Sequence, residues 1–325
     1  MDASGVHLPG VIIVAVLPAF LLIMLGAVLR RAKILRSEHD EPVMHVVFHV
    51  MYPCFILSKM LGSEALRNGS VVAWSIGIGF SELLVGGLVG FLFGILLRLE
   101  KGNGLRTFAF SVGIQNFGFT AIPIVQQLWG DAAVAVLIVH NLGVELSIWT
   151  VGVMFMSNDK RIPWKKLING PAISVVLGLI LVGLRVDRYF VGNPDVYLFG
   201  PMRESMKWLG NSAFPLALVI TGALMFDMIR VERPSARIAL GGSVLRLVVI
   251  PLIILAAAKC LPLSLELRQV LVVQAAMPAA MSPLLIAKLY GGRPGIAAQI
   301  IVASTVISLF TLPWVIAFGM KWILP

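Results

Sequence analysis

The sequence predicts an all-α polytopic membrane protein: ten transmembrane helices in two inverted five-helix repeats, with spans four and nine broken. Three observations carry that expectation. The 325-residue chain is 58% hydrophobic and 13% charged, with a mean hydropathy of +0.94, too few charges to cover a soluble globule of this size. Its apolar runs are about twenty residues long and do not alternate, as suits helices crossing ~30 Å of hydrocarbon rather than barrel strands. Two of the runs carry helix breakers mid-span, at corresponding places in two halves of five runs each. An odd number of spans per half reverses the second half, so any repeat is inverted.

Taken in order, the first run, Pro9 to Leu29, has no Lys or Arg before it and Arg30, Arg31 and Lys33 after it. That is the reverse of a signal peptide's charged start, so the run is expected to remain as a membrane helix. Span two, Pro42 to Leu61, holds Tyr52 and Pro53, with Lys59 near its outer end expected to snorkel to the interface. Span three, Val71 to Leu97, carries Glu82 mid-membrane and a Gly86, Gly90, Gly94 stripe that lets a helix approach, within the chain or across a homodimer. Span four is Thr107 to Trp129, and span five, Ala132 to Met156, holds His140, Asn141 and Glu145. A basic connector, 157–170, separates the first repeat, 1–156, from the second, 171–325. The second contains Pro171 to Val186, Lys207 to Met228 with Ser212, Pro215 and Thr221, Ala236 to Lys259 with Arg246, Arg268 to Leu289, and Gly295 to Trp322. Pro215 matches Pro53 across the repeat, and Arg246 matches Glu82 in depth.

Orientation follows from the loops. Those after odd-numbered spans hold sixteen Lys and Arg, including Lys160, Arg161, Arg230 and Arg233, against eight on the other side. Both termini are therefore expected outside the cytoplasm, in a plasma or bacterial inner membrane. The same bias accounts for a pI near 10, so no nucleic acid is expected as a partner. Cys54 and Cys260 fall in or at the ends of apolar runs, which argues against a disulfide or metal site. No P-loop, nucleophile elbow, HExxH motif or Cys cluster is present, and the five histidines are unrelated in spacing, so neither an enzyme nor a cofactor is expected.

Polar chemistry concentrates at the two broken spans. In Gln274 to Tyr290, Pro278 and Pro283 each lack a backbone donor and clash with the preceding turn, so the span divides into half-helices. Ser282 as N-cap with Pro283 at the first helical position starts the second half near mid-membrane. In Gln115 to Gly130, Gly118 and Pro123 break span four at comparable depth. A half-helix N-terminus at the midplane presents free N–H groups and a positive dipole end to an anion, and paired interruptions point to a transporter site.

Asn116, the Ile122–Pro123 pair, Pro278, Pro283 and the Ala287 to Tyr290 run resemble the auxin efflux carrier family of secondary transporters over the whole chain. That resemblance implies an inverted-repeat fold whose two broken helices cross at the centre. It implies transport of a small organic anion, a carboxylate of malonate, malate or auxin type, by alternating access. It also implies ligand contact by Asn116 and a cavity-lining role for Pro53. The short connector resembles a bacterial permease more than a plant hormone carrier.

Each polar group has two readings. Gln115, Thr120, Gln274 and Ser282 either contact substrate or cap freed backbone. Glu82 and Arg246 read as a structural ion pair, with a substrate or proton site as the alternative. His140, Asn141 and Glu145 are candidates for H+ coupling, Na+ being the other candidate ion, or else bond one another. Lys288 either snorkels or meets an anion at the inner gate. The rival functions are a proton or cation antiporter, which needs acidic residues that neither break contains, and a membrane sensor, which needs a signalling domain.

Overall fold

The computed structural model describes residues 8–157, 163–188, 199–229 and 235–324. Lys160 and Arg161 of the connector, and Arg230 and Arg233, lie outside them. Among the described residues the fold is all helix, with one isolated antiparallel bridge between Gln115 and Ala279. In chain order the helices are α1 (Leu8–Arg31), α2 (Ser37–Met60), α3 (Gly69–Leu96), α4 (Asn103–Gly113) and α5 (Ala121–Ser157), then α6 (Gly170–Gly183) and α7 (Phe199–Ile229). They continue with α8 (Ala236–Cys260), α9 (Leu265–Ala276), α10 (Ser282–Leu289) and α11 (Pro294–Ile323). Seven of these, α1, α2, α3, α5, α7, α8 and α11, are long and apolar enough to cross a membrane. This is an integral membrane protein.

Local chemistry sets the helix ends. Asn68, Asn169 and Ser264 cap α3, α6 and α9 by accepting from Ser70, Ala172 and Leu267 N–H, each filling a donor the first turn leaves free. Helix α5 bends at Gly130, whose φ of 73° only glycine adopts without strain. Helix α7 starts at Phe199, eight residues before the expected Lys207, because the turn through Arg203, Glu204 and Lys207 is a good helix former even outside hydrocarbon.

Single prolines do not break these helices. Helices α1, α7 and α11 run through Pro18, Pro215 and Pro313. Helices α2 and α8 place a π-turn, Val47–Met51 and Leu245–Val249, just ahead of Pro53 and Pro251. The wider turn accommodates the missing donor and the ring.

Glycines set how closely helices approach. A methyl at Gly79 or Gly143 would sit 2.1 or 2.2 Å from the carbonyl oxygen of His140 or Ile76, so α3 and α5 touch backbone to backbone. Gly26 and Gly222 do the same for α1 and α7, at 1.9 and 1.8 Å from the Val219 and Ile23 oxygens. Gly86, Gly90 and Gly94 pack against Gly113, Ala109 and Leu105 of α4. The stripe is spent inside the chain, the first of its two readings. Lys59 does not snorkel freely either: it pairs with Asp131 at 2.7 Å, joining α2 to the bend of α5.

Candidate functional site

The two breaks meet. Helix α4 ends at Gly113 and the chain runs extended through Ile114 (φ −110°, ψ 118°). Helix α9 ends at Ala276 because Met277 precedes Pro278 and is pushed out of the helical region (φ −70°, ψ 140°). The extended segments then bond as a fragment of antiparallel sheet: Asn116 N–H donates to the Pro278 carbonyl at 2.7 Å and Ala280 N–H to the Ile114 carbonyl at 3.0 Å. Freed backbone inside a membrane must find partners, and here each break supplies them to the other. Helices α5 and α10 start from this crossing with their N-termini toward it.

Side chains from the surrounding helices complete the accounting. Asn141 of α5 donates to the Phe117 carbonyl at 2.9 Å, and Gln274 of α9 reaches the same carbonyl at 3.3 Å and the Asn141 amide oxygen at 3.2 Å. Ser304 of α11 accepts from Ala279 N–H at 3.1 Å. Arg246 lies in the π-turn of α8, fully buried, and donates to the Met277 and Gln274 carbonyls at 3.0 and 3.2 Å. A cation is favourable there, at the negative end of α9. Gln115 donates to Glu82, and the Glu82 carboxylate lies 3.3 Å from His140 Nε2. Asn116 donates to the Thr120 hydroxyl at 2.8 Å and is only partly buried.

Several expectations change. Glu82 and Arg246 form no direct ion pair: Glu82 is taken by Gln115 and His140, and Arg246 by two carbonyls. His140 and Glu145 do not pair either, since i to i+5 turns them apart. His140 faces Glu82, whereas Glu145 lies with Tyr52 and Asn169. Ser282 does not cap α10. Met281 holds the cap position, and the Ser282 hydroxyl is buried without a partner. Helix α5 begins at Ala121 with Pro123 as its third residue, a position whose N–H has no intrahelical acceptor in any case, and Pro283 is the second residue of α10 rather than the first. Pro53 lies against Gly170, and its neighbour Tyr52 faces Asn141. Lys288 is exposed at the end of α10.

Two groups escape sequence reasoning. Ser304 is an ordinary serine in an apolar run, with no local signal to single it out. Phe119, at the break, stands 5.5 Å from Phe48 and 6.3 Å from Tyr52 and Phe214, forming an aromatic wall from α2 and α7 beside Asn116. A surface groove of about 270 Å³ between Gly10 to Ala15 and Gln127 to Leu128 lies away from this centre.

Long apolar helices packed around a buried polar crossing, from which two helices start, suit a membrane transport protein. The family of that description matches residues 11–163 and 154–316. The chain belongs to this auxin efflux carrier-like family of membrane transport proteins. It is 23% identical over 305 residues to an uncharacterized transporter of Methanothermobacter thermautotrophicus, covering 92% of this chain and 95% of that protein. It is 24% identical over 308 residues to an uncharacterized transporter of Methanocaldococcus jannaschii, covering 91% and 95%.

Proposed function

We propose that the protein is a secondary transporter that holds a small organic carboxylate, of malonate or malate type, at the crossing and exposes it to each side alternately. The observation that carries this reading is the bonded crossing from which α5 and α10 both start. First-turn N–H groups and positive dipole ends favour an anion there, and Asn116, Thr120 and Ser282 add polar side chains.

In this reading the chain crosses the membrane ten times. Helix α4 with the arm of α5 before Gly130 is span four, the remainder of α5 span five, and α9 with α10 span nine. The halves 1–156 and 171–325 are inverted repeats. Matched roles support that arrangement. Spans five and ten each bond a break, through Asn141 and Ser304. Spans three and eight each send a charged side chain to the span that follows, Glu82 to Gln115 and Arg246 to the α9 carbonyls. The reciprocal glycines of α1 with α7 and of α3 with α5 support two rigid groups of helices that rock against each other. The aromatic wall around Phe119 lies between them. The loop charges support cytoplasmic odd-numbered loops and external termini.

The test is a thermal-shift screen of purified protein against malonate, malate, indole-3-acetate and sodium. A ligand of the native state raises the melting temperature with concentration. Stabilisation by a carboxylate, lost in Asn116→Asp, is expected. Stabilisation by sodium alone would replace this reading with a cation carrier.

A further inference from the structure

Beneath the crossing lies a charged cluster that carboxylate binding alone does not use. Glu82 is 8% exposed, and His140 and Arg246 are fully buried. The tautomer of His140 follows from its neighbours. Asn141 Nδ2 donates to the Phe117 carbonyl, so its Oδ1 is an acceptor, already receiving Gln274 Nε2 at 3.2 Å. His140 Nδ1, 3.4 Å from that same oxygen, must therefore carry a proton. In a neutral imidazole Nε2 would then be a bare lone pair, held 3.3 Å from a Glu82 oxygen in a contact out of line for a hydrogen bond. Two unprotonated groups facing each other in a dry site repel. One added proton converts the contact to imidazolium with carboxylate, or to imidazole with carboxylic acid. The second Glu82 oxygen, Oε1, is buried with no partner and can take that proton.

Other groups around the pair are accounted for. From α8, Arg246 lies within the field of the Glu82 charge while bonding the α9 carbonyls. From the breaks come Gln115 and Gln274, which do not titrate. Glu145, on α5, sits apart beside Asn169, Tyr52 of α2 faces Asn141, and the Tyr290 ring packs in the apolar cluster of Leu83 and Ile114. With His140 neutral, Glu82 and Arg246 sum to zero charge, and a bound proton makes the cluster +1.

We infer that Glu82 and His140 form a proton-binding site that couples carboxylate binding to proton uptake, the carrier moving both together. The inference rests on the carboxylate reading for the direction of coupling. A +1 cluster linked to the crossing through Gln115 and through Asn141 with Gln274 favours an anion there, and by reciprocity the anion favours the proton. Arg246 already occupies, as a tethered cation, the α9 carbonyls that a metal cation would otherwise take.

Purified protein in weakly buffered solution with a pH indicator provides the test, with malonate as probe over the pH range where it is fully ionised. Wild type is expected to take up about one proton per malonate bound, its Kd rising about tenfold per pH unit once the site has titrated. In Glu82→Gln, which leaves Arg246 as a permanent positive charge, proton uptake and the pH dependence of Kd should both vanish. Malonate binding by wild type with no proton uptake overturns the inference while leaving the carboxylate reading in place, and needs no variant that might misfold. If no carboxylate binds, ¹⁵N-histidine NMR of the ligand-free protein decides. A His140 resonance, assigned by its loss in His140→Gln, that titrates and moves in Glu82→Gln keeps the proton site while the carboxylate reading falls. A resonance that titrates alike with Glu82 present or replaced overturns the site.

Discussion

Substitution of Asn116 tests the crossing where geometry and charge are both specific. Its backbone N–H is bonded to Pro278 whatever the side chain, so the bridge between the breaks survives replacement. Its amide carries two N–H groups, one of which is given to Thr120 at 2.8 Å, and the second remains for a ligand. A hydrogen bond to a charged group contributes about 1.5 to 3 kcal/mol, so Asn116→Ala should weaken carboxylate binding roughly ten- to a hundredfold. Asn116→Asp keeps the shape, and the Thr120 hydroxyl can turn to donate to it. It places a negative charge beside the anion, however: at ~4 Å and an effective dielectric near 20, two like charges repel by about 4 kcal/mol, about a thousandfold in affinity. Calorimetric titration of malonate into both variants, with melting curves to show that they fold, measures the effect. Wild-type affinity in a folded Asp variant would refute an anion site at this crossing.

Gly79→Ala and Gly222→Ala should each lower stability by about 1 to 3 kcal/mol, since the new methyl meets backbone and no rotamer relieves it. Gly77→Ala, with open space around it, should be neutral or slightly stabilising, which melting curves in one detergent will show. Lys59→Met should leave the melting temperature nearly unchanged, because the partner carboxylate of Asp131 is exposed. A loss as large as that of Gly79→Ala would show that the pair holds the fold. A cysteine introduced at position 166 should react only with reagent on the cytoplasmic side, and one at position 67 only from outside. The opposite pattern in oriented vesicles would discard the orientation.

The sequence makes the helices legible because hydropathy is local, and the breaks legible because proline and glycine act on their own turn. Side-chain partners are not local. His140 and Glu145 lie close in sequence and on different helix faces, whereas His140 and Glu82 meet only because Gly79 and Gly143 bring α3 and α5 into backbone contact. Those glycines are visible in the sequence, but which helix each one admits is not. Ser282 misleads for the opposite reason. Serine before proline is a strong capping signal, yet α10 starts one residue earlier, with Met281 at the cap position.

Glu82 and Arg246 show what an expected match in depth can mean. Opposite charges at one level of the membrane suggest mutual neutralisation, and a direct pair makes a definite claim. Removing either partner destabilises strongly, while removing both restores much of the loss. The observed bonds make a different one. Arg246 satisfies the carbonyls that end α9, and Glu82 receives Gln115 and faces His140, so each charge anchors its own break. Arg246→Met leaves the buried Met277 carbonyl without its Arg246 donor, at about 1 to 3 kcal/mol, and the Gln274 carbonyl with only the Met277 N–H at 3.3 Å, and Glu82→Gln does nothing to restore either bond. The double variant should therefore be about as unstable as the sum of the singles, apart from the modest attraction between the two charges. Melting curves of the four proteins measure the coupling. Recovery of most of the stability in the double variant would mean that mutual neutralisation dominates, and that the carbonyl bonds of Arg246 are secondary.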